Sequence, residues 1–284
     1  MIRYSGKTFS EDDIQLIKEI IAANPQMTRA ALSREVCRQL KWYKPDGGLK
    51  EMRCRVVMIK MHNDLLIKLP KAQNCLRLNK AIRHTSKTDI QNEIVERVDF
   101  INDIKLRLVD KTNTSLWNEY IDRYHYLGFK KLPGAQLRYF AYAGNQIIAC
   151  LGFGAAAWKT APRDQFIGWN SYQKEKNLHL VINNTRFLIL PWIKSKNLAS
   201  KLLSMIVRQL PVDWQNRYKY KPVLIETFVE SKRFLGTCYK AANWVNVGKT
   251  KGRGRNDIDN KYSLPIKDIF LLPITKDFRK SLCA

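Results

Sequence analysis

The sequence predicts an α+β fold in which a small helical module precedes a mixed β-sheet flanked by helices. Three observations predict it. Three amphipathic helical stretches fill the first 70 residues, β-prone runs alternate with helical ones from residue 136 onward, and 284 residues with 45% hydrophobic content can bury a sizeable core. The expected domains are a helical module over 1–70, a basic linker and lead-in over 71–110, and the sheet-bearing domain over 111–284.

In the module, Ser10 with Asp13 three residues on is a capping pair. It opens a helix through Ile14, Ile17, Ile20 and Ile21 that stops near Asn24 and Pro25. Thr28 caps a second helix through Ala31, Leu32, Val36 and Leu40, and a Pro-Asp-Gly-Gly turn at 45–48 separates it from a third. On the third, Leu49, Met52, Val56 and Ile59 are expected on the buried face, with Lys50, Arg53 and Lys60 opposite. The apolar run 65–70 is expected to be a strand entering a wing. The module therefore resembles a winged helix-turn-helix whose third helix can present Lys50, Arg53 and Lys60 to a major groove.

In the larger domain, Thr114 is expected to cap a helix ended by Gly128. Two β-prone runs, 136–142 and 146–153, flank Ala143-Gly144-Asn145 and predict a hairpin. Further strands are expected at 178–190, 223–229 and, last, 244–249, with helices at 198–210 and 236–242. The tryptophans Trp158, Trp169, Trp192 and Trp244 are assigned mainly to the core.

Charge sets the function class. The chain has 50 Lys+Arg against 25 Asp+Glu, a formal charge of +25 and a pI near 9.9, so it attracts polyanions, nucleic acid before membrane surface. No apolar run approaches the roughly 20 residues that span a bilayer, and residues 1–7 lack the apolar core of a signal peptide. A cytoplasmic protein without a membrane partner is expected. The cysteines Cys37, Cys54, Cys75, Cys150, Cys238 and Cys283 show no metal-ligand spacing and are expected to be reduced thiols.

Several residues carry candidate chemistry. Glu226 stands in an apolar run and is read as a general base, a metal ligand or half of an ion pair, for instance with Arg186. Tyr239 is a candidate general acid or nucleophile toward DNA phosphate, against a packed tyrosine. His125 is the candidate proton carrier, against a packed, hydrogen-bonded histidine. Lys249, Lys251, Arg253 and Arg255 interleave with glycines in a run that can converge on phosphates, and Asp257 beside them would join Glu226 only in holding a divalent metal such as Mg2+.

Residues 187–203 read as an apolar strand, a proline stop, a basic turn and an amphipathic helix. This segment resembles the acyl-CoA-binding turn of the GNAT-family N-acetyltransferase fold, with Lys194, Asn197 and Ala199 at its defining places. The segment from Gly236 to Trp244 resembles a later part of that fold, which places Tyr239 at the general-acid position. The resemblance implies an acetyltransferase-like mixed β-sheet flanked by helices. Asn197 replaces a glycine and adds a side chain where a pyrophosphate would lie, so acetyl-CoA is not the expected cofactor, and Lys194 and Lys196 are expected to meet nucleic-acid phosphate instead.

The strings YHYLG (124–128), LPGAQLRY (132–139), GFGAAAWK (152–159), PRD (162–164), NNTRFLILPW (183–192), ETFV (226–229) and GTCY (236–239) resemble the DruA-like family. That family includes a component of the Druantia antiphage system and mobile-element-associated relatives. The resemblance implies a DNA-binding protein of antiphage defence or mobile-element DNA processing, with double- or single-stranded DNA and other proteins of such systems as partners. Strand cleavage or transfer by Tyr239, Glu226 and the Arg253/Arg255 loop is the preferred chemistry. The alternatives are an acyl-CoA-dependent N-acyltransferase and a non-catalytic DNA-binding subunit.

Overall fold

The computed structural model describes residues 1–72, 81–253 and 262–284. The chain divides into two compact units, Met1–Lys80 and Ala81–Ala284.

The first unit opens with a hairpin of β1 (Ile2–Tyr4) and β2 (Lys7–Phe9), followed by α1 (Glu11–Ala23), α2 (Arg29–Gln39) and α3 (Glu51–Asn63). The expected caps form. The Ser10 hydroxyl accepts from the Asp13 N–H while the Asp13 carboxylate accepts from the Ser10 N–H, both at 3.0 Å, and Thr28 Oγ1 accepts from the Ala31 N–H at 3.1 Å. Phe9, Ile17, Leu32, Val36, Val57 and Met61 form the core.

Two expectations for this unit need correction. Helix α3 buries Cys54, Val57, Met58 and Met61, whereas Met52 and Val56 are 62% and 46% exposed. The helix carries two apolar stripes, and the one that meets Leu32, Val36 and Cys37 of α2 wins burial. The exposed face therefore mixes Met52 and Val56 with Lys60, while Lys50 and Arg53 are half-buried. No strand forms at 65–70. Leu65 turns through φ 61°, Ile67 and Leu69 tuck into the core, and the Pro70 carbonyl accepts from Arg29 Nε at 2.7 Å, so the segment has no ladder to join. The hairpin instead precedes α1.

The second unit contains β3 (Ile104–Leu108), α4 (Thr114–Tyr124), β4 (Gln136–Ala143), β5 (Gln146–Ala155), α5 (Ala161–Ile167) and α6 (Ser171–Asn177). There follow β6 (Val181–Ile189), α7 (Leu198–Tyr218), β7 (Leu224–Glu230), α8 (Thr237–Ala241), β8 (Val245–Lys249), β9 (Lys267–Pro273) and α9 (Phe278–Leu282). The strands form one seven-stranded sheet in the order β3-β4-β5-β6-β7-β9-β8. Its pairs are antiparallel except β6 with β7. This is the expected mixed sheet flanked by helices. β3 lies within the stretch assigned to the lead-in, and β9, unread in the sequence, inserts between β7 and β8. Its Ile269, Phe270 and Leu271 are fully enclosed.

Alternation along the strands sorts side chains to two faces. Tyr139 of β4 donates to Asp213 of α7 at 2.9 Å, which identifies the α7 face, while Trp117 of α4 covers Gly152 on the other. The register then puts Ile182, Asn184 and Phe187 of β6 and Ile225, Thr227 and Val229 of β7 on the α7 face. Asn183, Arg186, Glu226, Phe228 and Glu230 share the α4 face. The parallel pairing runs only from Val181↔Leu224 to Asn184↔Thr227, after which β6 and β7 part.

Helix α8 starts at Gly236, which holds φ +67° against the Phe270 ring; a Cβ there would lie 2.6 Å from that ring. Gly236→Ala is expected to cost about 1–3 kcal/mol through overpacking and left-handed strain. A lowered urea midpoint checks it, and an unchanged midpoint would mean that α8 shifts freely.

Candidate nucleic-acid interface

Glu226 is fully buried on β7, and its carboxylate is already committed. Oε2 accepts from Arg163 Nη1 at 2.9 Å, and Oε1 accepts from the Ala157 N–H at 2.9 Å. Arg163, also fully buried, continues to Asp164 at 2.7 Å, and Lys174 reaches Asp164 at 3.1 Å. Burial pushes the Glu226 carboxyl above its usual range, and the Arg163 guanidinium opposes that. The ion pair forms with Arg163 in place of Arg186, and both carboxylate oxygens are engaged. No group of three or more metal-ligating side chains occurs among the described residues. Asp257, the other half of the expected Mg2+ pair, lies outside them, as does Arg255.

Tyr239 is also buried. Its hydroxyl donates to Asn184 Oδ1 at 2.9 Å, and its ring packs on Phe187, Trp244 and Phe270. Burial drives the phenol well above its ordinary value, so phenolate at neutral pH is disfavoured. The ring sits on the α7 face where β6 and β7 part, whereas the Glu226 side chain projects to the α4 face. A cleft shared by Tyr239 and Glu226 does not exist, because neighbouring strand positions such as Glu226 and Thr227 face opposite ways. The packed-tyrosine reading holds.

His125 ends α4. Its Nδ1 accepts from the Leu127 N–H at 3.2 Å, and its ring stacks on Tyr126 at 4.8 Å and 25°. Burial, with Arg186 and Lys267 nearby, pulls the imidazole down to about 4, so it is neutral at pH 7 with its proton on Nε2. A proton carrier for neutral pH needs a value near 7, and His125 here is a packed, hydrogen-bonded imidazole.

Around His125 the structure assembles a group that the sequence did not reveal. Arg186 of β6 donates to the Gly128 carbonyl at 3.2 and 3.3 Å and to the Thr185 carbonyl at 2.7 Å. Lys267 of β9 stands opposite Glu230 of β7 in the ladder, and Glu230 lies 3.6 Å from Arg233 Nε. The Arg233 guanidinium lies 4.9 Å from the Tyr126 ring centroid, and Phe234 meets that ring at 5.4 Å. Burial lowers both Arg186 and Lys267 from their ordinary values, and each cation lowers Lys267 or His125 further. Only Arg186 carried a sequence signal, as a cation inside an apolar strand. Lys267 sits on the strand that was not foreseen.

The remaining basic candidates are dispersed. Lys194 pairs with Glu93 at 2.6 Å, whereas Lys196 is exposed. Asn197 holds φ 67° and ψ 0°, the left-handed conformation that glycine favours and asparagine tolerates, so the turn into α7 keeps a glycine-like backbone. Lys249 lies 4.0 Å from Asp268, and Lys251 and Arg253 are exposed. Between them Gly252 turns at φ +74°, where a Cβ would fall 2.6 Å from the Leu264 carbonyl oxygen. Trp169, Trp192 and Trp244 are core residues as expected, while Trp158 is 43% exposed.

The family model described as Druantia protein DruA matches residues 60–263. No curated protein matches. Solved structures similar to this chain include an aminoglycoside acetyltransferase in complex with coenzyme A and kanamycin, at 16% identity and TM-score 0.38, covering 60% of this chain and 95% of that one. An N-acetyltransferase from Staphylococcus aureus is 11% identical with TM-score 0.35, covering 61% and 98%. A probable acetyltransferase from Staphylococcus epidermidis is 8% identical with TM-score 0.39, covering 61% and 100%.

Removing one member of the Arg163–Glu226 pair exposes its structural role. Arg163→Met is expected to cost about 3–5 kcal/mol at neutral pH, the loss for breaking a buried ion pair. Without Arg163 the folded carboxyl titrates higher still, so the unfolded state releases its proton first and stability falls as pH rises through that window. The deficit should therefore shrink toward acid pH. Urea unfolding at several pH values checks this, and a deficit independent of pH would show that Glu226 is not the group left uncompensated.

Proposed function

The chain belongs to the DruA family, and from that premise we propose that it is a DNA-binding protein of antiphage defence or mobile-element DNA processing. The observation that carries this reading is the twofold excess of cationic over acidic side chains, +25 in all. Exposed lysines such as Lys60 in the first unit and Lys196 and Lys251 in the second make that charge available to phosphates. Family membership supports the defence role, with other proteins of such systems as partners. No helix among the described residues is long and apolar enough to cross a membrane.

The reading is one of binding. Strand cleavage by Tyr239 and Glu226 is not retained, because the first is a buried neutral phenol and the second a buried half of an ion pair on the opposite face. The exposed Met52, Val56 and Lys60 stripe of α3 supports contact with a groove, since apolar side chains meet thymine methyls while lysine meets phosphate.

Acyl transfer is the second reading, favoured by one observation. Asn197 keeps the left-handed backbone of the turn into α7, so the main-chain conformation suits a pyrophosphate even with the added side chain. Acetyl-CoA would supply the acyl group there.

Fluorescence anisotropy with labelled DNA tests the first reading. Affinity is expected to fall about 10³-fold or more between 50 and 200 mM salt, as for six or more phosphate contacts. Lys60→Ala and Lys251→Ala should each reduce the salt slope by about 1. Salt-insensitive binding would sink the phosphate-contact reading. Saturable acetyl-CoA binding by calorimetry, lost when Asn197 is changed to proline, would favour acyl transfer.

A further inference from the structure

The group around His125 has a charge pattern that ordinary packing does not explain. Among the described residues, Lys267 and Arg233 face the Glu230 carboxylate, and Arg186 stands close enough to Lys267 to act on it. Among the described residues, the hydrogen bonds of Arg186 go to neutral main-chain carbonyls, those of Gly128 and Thr185. Half-burying cations beside one another is unfavourable, and an anion placed between them would relieve it. A guanidinium, an ammonium and a neutral imidazole with its Nε2 proton free to donate are the donor types that hold a phosphate.

The rim of the same face is aromatic and apolar. Tyr126 is 39% exposed, Phe234 46% and Leu235 79%, and the Arg233 guanidinium lies over the Tyr126 ring. Duplex DNA buries its base faces and presents phosphates and groove edges, so exposed rings beside a phosphate site would gain little from it. An unpaired strand presents base faces that stack on aromatic rings and guanidinium planes.

We propose that this face binds single-stranded DNA, with a phosphate held by Arg186 and Lys267 and a base laid against the Tyr126, Arg233 and Phe234 cluster. The proposal rests on the DNA-binding reading and adds the strand state and the site. It also gives His125 a role as a neutral hydrogen-bond donor to phosphate or base rather than a proton carrier. Arg186, Glu230 and Lys267 of the site stand on the α4 face of the sheet.

The full chain is titrated into a labelled oligothymidylate and, separately, a labelled duplex of equal length. Phe234→Ala, an exposed change, should weaken oligothymidylate binding by about 5- to 150-fold and leave duplex binding as it was. Phe234→Tyr should keep the wild-type affinity, and Lys267→Gln should weaken oligothymidylate binding while lowering its salt slope by about 1. Equal losses on both DNAs, or no loss from Phe234→Ala, would overturn the site while leaving DNA binding intact. A wild-type chain that binds neither DNA would overturn the DNA-binding reading as well.

Discussion

Two full charges enclosed together, Arg163 and Glu226, hold the centre of the larger unit. Neither side chain has any exposed surface, and an unpaired ion in that position would be strongly disfavoured by desolvation. The pair persists because the remaining hydrogen-bonding capacity is also satisfied: Ala157 supplies an N–H to Glu226 and its carbonyl to Arg163, and the Asp164 carboxylate accepts from both the Arg163 guanidinium and Lys174 of α6. The network ties α5, α6 and the chain after β5 to the middle of β7. That helical layer covers the α4 face, with Ile167 and Trp169 packed among Leu224, Ile269 and Leu271.

Once β7 is held in that register, the rest of the geometry follows from alternation. Glu226 looks one way and Thr227 the other, and Tyr239 joins the second set through Asn184 at the point where β6 and β7 separate. The two residues with the most suggestive sequence context are thereby divided by the thickness of a sheet. Along the outer part of β6, β7 and β9, Arg186 and Lys267 stand near the exposed Tyr126 and Phe234 rings. That distribution is what the proposed binding of a polyanion rests on, and the aromatic rim is what the proposed unpaired strand rests on.

Legibility in the sequence tracked how local each determinant is. The capping box at Ser10, the Thr28 cap and the hairpin of the 136–142 and 146–153 runs depend on residues three to eighteen apart, and all form as read. The α3 face was misassigned because two apolar stripes lie on one helix, and only the partner helix α2 selects Cys54, Val57 and Met58 over Met52 and Val56. The 65–70 run has strand composition but no neighbouring ladder. β9 was missed because its place between β7 and β8 is a property of topology. The candidate site shows the same limit: Arg186, Glu230 and Lys267 come from three strands that the sequence separates widely.

By itself the sequence determined the charge, the caps at Ser10 and Thr28, the order of most elements and the family, since these rest on composition, short spacing and recurring local strings. Helix α4, by contrast, starts after Asn113 and ends at His125 rather than running from a Thr114 cap to Gly128. Tertiary structure alone decided which side chains share a face, which charges neutralise one another and which stay exposed. Those depend on strand register and burial, because a shift of one residue along a strand moves a side chain to the other side of the sheet, and a carboxylate is reactive or inert according to what lies against it.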